Sequence, residues 1–172
     1  DIVDSAVALQ IKDSVDLQLD SLKSLMSTLC DLAERERDTI MIGRTHGQAA
    51  VPIPFGIKVA VWVDECRRHL ERLNSMRSRI IAGKFLGAVG TGAAQGENAL
   101  ELQSLILGEL GLEVPVATTQ VVGRDRYIEW VGWMANVSTT VEKILQEVRN
   151  LQRSEIAEVA EAFDVEKQVG SS

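Results

Sequence analysis

Apolar residues recur at helical spacing along most of the chain. Over 4–37, Val15, Leu19, Leu22, Leu25, Leu29 and Leu32 share one stripe, while Lys12, Asp16, Asp20 and Lys23 occupy much of the other face. That pattern predicts a long amphipathic helix ending near Asp38 and Thr39. A short apolar piece, 40–42, leads into a stretch broken by Gly43, Gly47, Pro52, Pro54 and Gly56. Proline removes a backbone donor and glycine tolerates positive φ, so an irregular loop is expected there. A second helix is predicted over 54–82, with Val59, Trp62, Cys66, Leu70, Leu73, Met76 and Ile80 on its apolar side. Arg67, Arg68, Glu71 and Arg72 face outward, Arg68 and Glu71 are spaced to pair, and His69 is placed on the polar side with a structural role. Gly83 is a plausible stop. A third helix over 97–110 should end at a glycine cap, Gly111. The fourth and longest, 124–163, is sustained by Ile128, Val131, Met134, Val141, Val148 and Ile156.

Helices of roughly 28–40 residues are about 40–60 Å long at 1.5 Å per residue. A sphere of 172 residues has a radius of gyration near 16 Å. The fold class expected is therefore all-α, an elongated bundle of long helices spanning 1–172. A rod leaves apolar surface uncovered, and association through bundle faces is the simplest cover. The chain opens at Asp1 inside a helical pattern and stops in the small-residue run Gly170-Ser171-Ser172. We therefore expect the interior of a longer polypeptide.

Charge narrows the classes. Lysine and arginine number 18 against 25 aspartates and glutamates, a formal charge of −7, spread along the chain. Phosphate neutralisation needs a cationic face, so no nucleic-acid partner is expected. Aromatics at 4% give no stacking platform for bases. No run of about 18 apolar residues suggests a membrane span. Cys30 and Cys66 lie in helical patterns without disulfide or metal-ligand spacing, and read as buried thiols of a reducing, cytoplasmic compartment. Two histidines do not make a histidine-rich metal site, and no metal is assigned.

The candidate chemistry is concentrated in GRTHGQAAVP, 43–52. His46 sits in a broken, glycine-flanked loop between two long helices, beside the hydroxyl of Thr45 and the amide of Gln48. Histidine moves protons readily near neutral pH; the alternative is a histidine that bonds loop backbone and plugs a bundle end. The small-residue run 87–96 matches neither a P-loop nor a dinucleotide fingerprint, and reads best as a site of close helix packing. In 118–126, TTQVVGRDR, two arginines ahead of a helix suit either an anionic ligand or a capped helix start.

Taken in order, these segments resemble the fumarase/aspartase superfamily and, within it, the adenylosuccinate lyases. The resemblance covers essentially the whole chain. It rests on DIVD at the start, GRTHGQAAVP, FGIKVAVWVDECRRHLERL, GKFLGAVGT, TQVVGRDRYIEW, EVRNLQRSEIAEVAE and the closing QVGSS, the last fitting the opening of the superfamily's signature loop. Gly47 after the histidine departs from the leucine typical of fumarases, aspartases and argininosuccinate lyases. Ala50 and Ile53 depart from the histidine and threonine that many adenylosuccinate lyases carry at those positions.

The resemblance implies β-elimination of fumarate from adenylosuccinate, giving AMP, and from the succinyl-carboxamide intermediate of purine biosynthesis. It implies His46 as general acid, Ser171 as general base, and Thr45, Gln120 and Ser172 as substrate-binding residues. It implies no cofactor, a small-molecule substrate, and a homotetramer whose active sites are shared between subunits. The N-terminal and C-terminal domains and most of the signature loop would lie outside 1–172, so the isolated segment is expected to be inactive. The competing expectations are a sister fumarate-releasing lyase, such as an argininosuccinate lyase, and a non-catalytic helical scaffold on the same fold.

Overall fold

The computed structural model describes residues 1–162. Its elements run α1 (Ile2–Arg35), β1 (Ile40–Thr45), β2 (Gln48–Pro54), α2 (Phe55–Ile80), α3 (Ala99–Glu109) and α4 (Asp125–Leu151). With 34, 26 and 27 residues, α1, α2 and α4 are about 50, 40 and 40 Å long. α1 and α2 run antiparallel: Gly56 N donates to Glu36 O at one end, and Lys84 reaches Asp1 at the other. α4 runs back along α2, with Arg79 bonded to Glu129 near its start and Lys58 to Glu147 near its end.

The core is a seam. On α2 the buried positions are Val59, Trp62, Cys66, His69, Leu73, Met76 and Ile80, alternating steps of three and four, the spacing that keeps one face turned toward a packed neighbour. α1 answers with Ala8, Ile11, Val15, Leu22 and Leu29. α4 adds the buried Trp133, with Tyr127, Trp130, Met134, Val137 and Ile144 half-buried against the cluster, while its Ile128, Val131 and Leu145 lie exposed.

Four expectations from the pattern are corrected. His69 is buried at a seam position rather than on the polar side. Its Nε2 meets Thr140 Oγ1 at 2.9 Å, and its carbonyl accepts Trp133 Nε1–H at 3.0 Å. Cys30 is exposed, while Cys66 is buried. On the outer face Arg68 pairs with Asp64, and Glu71 with Arg67 instead. Finally, α4 stops at Leu151 because the chain folds back: the Leu151 carbonyl accepts from Glu158 N at 3.0 Å and Val159 N at 3.4 Å.

One further expectation held and two more are corrected. α3 ends as read from Gly111: Leu112 N bonds Leu107 O at 2.8 Å and Gly111 N bonds Gly108 O at 3.0 Å, the paired bonds of a glycine-terminated helix. The stretch after α1 is not irregular, however. It is an antiparallel hairpin of β1 and β2 with a bulge at Gly43. Of 87–96, the expectation of helix-on-helix packing is replaced by a looped turn at the bundle end, where a Cβ on Gly90 would collide with the Thr118 carbonyl.

Burial, with Arg72 beside it, holds the His69 imidazole below its ordinary value. The folded state therefore keeps this ring neutral where the unfolded chain, near 6.5, takes up a proton. Its contribution is complete above that value and is lost as pH falls through and below it. We expect the urea midpoint, followed by tryptophan fluorescence, to fall between about pH 7.5 and 5.5, and His69→Gln to flatten that slope.

Candidate active site

The hairpin exists because the chain can turn in two residues. Thr45 pairs with Gln48, leaving His46 and Gly47 as the whole loop with φ of +52° and +71°. Two successive left-handed residues make the turn whose twist matches that of the flanking strands. Glycine takes this conformation freely; histidine is among the few other residues that tolerate it. His46 thus stands at the exposed tip, with Thr45 beside it. Its ring has no hydrogen bond among the described residues, so it does not plug the bundle end.

A two-stranded hairpin is marginal alone, and this one is braced. Past α4 the chain lays Glu158 against β1. The Glu158 carboxylate accepts Ile42 N at 3.1 Å and Arg44 Nη1 at 2.6 Å. Arg44 holds that carboxyl below the usual glutamate range, and Ile42 N adds to the effect. Between the hairpin and the end of α4 lies an open cavity of about 680 Å³ bordered by Arg44, Gly47, Lys58, Glu147, Asn150 and Arg153.

Gln120 lies at the other end. It is exposed, five positions before α4 begins at Asp125, and its segment is anchored by the bond from Val122 N to Asp4 Oδ2, 2.8 Å. The hairpin sits at the far end of α4, so one chain keeps His46 and Gln120 on the order of 40 Å apart. Thr45 and His46 are brought together; Gln120 is not brought to them. Ser171 and Ser172 lie outside the described residues.

The arginines at the start of α4 are committed within the chain. Arg124 bonds Asp4 through both terminal nitrogens at 3.1 Å and lies over the Tyr127 ring, 5.1 Å from its centroid, and Arg126 donates to the Arg79 carbonyl. Neither is left facing an anion, so of the two readings the helix start is favoured. Reasoning from spacing missed Asp1, Asp4, Lys84 and Glu158. Lys84 carried a signal, a lysine opening a run of small residues; the carboxylates gave none, because their partners lie 83–120 positions away.

Comparison with known proteins follows this geometry. A family model described as "Lyase" matches residues 1–172. Over all 172 residues the chain is 49% identical to the adenylosuccinate lyase of Pyrococcus abyssi, covering 38% of that protein. It is 41% identical to the N-acetyl-S-(2-succino)cysteine lyase of Dickeya dadantii, covering 37%. A crystal structure of a fumarate lyase from Mesorhizobium sp. BNC1 superposes with a TM-score of 0.88 at 39% identity, over 93% of this chain and 38% of that one. The chain therefore spans well under half the length of the relatives it matches.

The Glu158 brace is testable. Glu158→Gln keeps an acceptor but loses the ion pair, and we expect amide exchange at Ile42 to quicken about tenfold while exchange in α2 is unchanged.

Proposed function

The chain belongs to the lyase family whose model spans its whole length, and on that premise we propose that it is the central helical domain of an adenylosuccinate lyase. The observation that carries this reading is the 49% identity to an adenylosuccinate lyase along the entire chain, with a free imidazole at the hairpin tip where the motif histidine falls.

The reaction is an elimination. A base removes a proton from the carbon beside a succinyl carboxylate, the electron pair forms the fumarate double bond, and the carbon–nitrogen bond breaks. His46 protonates the departing nitrogen, leaving AMP or the carboxamide nucleotide. Its exposed ring is free to meet a substrate brought by another surface. Ser171 is the base. A free hydroxyl is very weakly basic, so this role needs a closing loop that excludes water and aims donors at the oxygen. Thr45, Gln120 and Ser172 bind substrate. The elimination needs no external oxidant or reductant and passes no group to a carrier, so no cofactor is assigned, and the enzyme works in the cytosol.

The separation of His46 from Gln120 supports a site assembled from several copies, as in a homotetramer. The uncovered apolar residues point the same way: Leu17 on α1, Ile57 and Val61 on α2, and Ile128 and Val131 on α4 are all more than half exposed. The excised segment, without its neighbouring domains, is inactive on this reading.

A second reading rests on the 41% identity to an N-acetyl-S-(2-succino)cysteine lyase. There the same proton removal would expel a sulfur rather than a nitrogen, and protonation of the leaving group matters less because a thiolate departs readily. The two are separated by incubating the complete gene product with adenylosuccinate and with N-acetyl-S-(2-succino)cysteine and following fumarate. We expect release from adenylosuccinate, reduced on the order of 10²–10⁴-fold by His46→Gln. Release only from the thioether would establish the second reading, and an unaffected His46→Gln variant would remove the general-acid assignment.

A further inference from the structure

The first turn of α1 carries two carboxylates, and neither serves its own helix. Asp1 occupies the N-cap position, where an aspartate ordinarily accepts from the first free amides, yet it makes no such bond. Its Oδ1 instead accepts from Lys84 Nζ at 2.6 Å and Leu86 N at 3.2 Å, and Gly87 N reaches both oxygens, at 3.1 and 2.9 Å. Asp4, buried one turn later, accepts Val122 N on Oδ2 and the Arg124 guanidinium on Oδ1.

One helical turn thus grips two loops that are far apart in sequence. The first, 84–87, opens the small-residue run; the second, 122–124, follows directly on Gln120. Lys84 is fully buried and gives a further bond to Gly87 O at 2.7 Å, while the Ser5 hydroxyl both donates to Lys84 O and accepts from Lys84 N. The loops meet where Gly90 lies against Thr118. Within these segments Gln95 Oε1, which lies near Gly87, and Thr118 Oγ1 are buried with no hydrogen-bond partner among the described residues. Buried oxygens left bare are costly, so the loops are held in an arrangement that their own polar contacts do not explain.

We propose that Asp1 and Asp4 are positioning residues, a paired clamp that sets the 84–87 and 118–124 loops in the register from which Gln120 meets substrate. The clamp rests on the functional reading above only in treating this end as the substrate-binding one. It acts through main-chain amides, so its loss misplaces Gln120 and leaves proton transfer at His46 intact. Misplacement by about an ångström is enough to weaken a bound geometry severely.

The test uses the complete gene product. Asp4→Asn retains side-chain size but cannot accept from both Val122 and Arg124. We expect KM for adenylosuccinate to rise about tenfold or more with kcat within about threefold. Hydrogen exchange should quicken at 118–124 and not in α2; Asp1→Asn should give the same kinetic split with quickened exchange at 85–90. Arg124→Gln, which opens the half-exposed side of the clamp, serves if either aspartate variant fails to fold, and should raise KM in the same sense. Unchanged KM and exchange would overturn the clamp. So would exchange that quickens evenly through every helix at constant KM, the mark of an ordinary structural brace. Should the unmodified enzyme release no fumarate from adenylosuccinate, the functional reading falls, and the exchange pattern alone decides the clamp.

Discussion

Everything else in the structure hangs on the seam between α1 and α2. Seven buried positions on α2, from Val59 to Ile80, face a matching row on α1 from Ala8 to Leu29. Alternating steps of three and four keep that row on one side for the full length of the helix. Burial of the valine, leucine, isoleucine and methionine side chains in these rows, each worth about 1.5–3 kcal/mol, supplies the rigidity that the hairpin and the end loops lack. The one polar member of the row, His69, is accommodated by the Thr140 hydroxyl and by Trp133, which ties α4 to α2 at mid-length. The seam thereby sets the position of α4 as well.

A rod built this way carries its loops at two ends. At one end β1, β2 and the returning segment after α4 display Thr45 and His46. At the other, the first turn of α1 gathers the 84–87 loop and the segment behind Gln120. The length of α4 keeps these ends apart, and no side chain spans such a gap. On the function proposed above, activity depends on how such ends are brought together by association, and the apolar residues left on the outer faces of α1, α2 and α4 are the surface offered for it.

Each end is held by carboxylates reaching across the fold. Glu158 braces the hairpin, and Asp1 and Asp4 brace the opposite loops. All three accept main-chain amides, and each also pairs with one cationic side chain, Lys84, Arg124 or Arg44. The exposed loop residues His46 and Gln120 are not themselves part of these braces. Among the described residues the His46 ring has no hydrogen bond, and the turn that carries it is secured from behind.

By itself the sequence determined the helices, because an apolar stripe with a period of 3.6 can be buried in only one kind of element. The length of those stripes determined a rod. The ordered motifs from DIVD to QVGSS pointed to the family, and His46 was legible as a group set in a broken loop. The hairpin was not legible, since its strands are short, and prolines at 52 and 54 and glycines at 43 and 47 read locally as breakers. It forms because a two-residue turn and the Glu158 brace offset what those residues cost. The burial of His69, the early end of α4, and the work of Asp1, Asp4 and Glu158 were likewise decided only in three dimensions. For His69 and the three carboxylates the deciding partner lies tens of residues away in the chain, and no local pattern records which distant group will arrive.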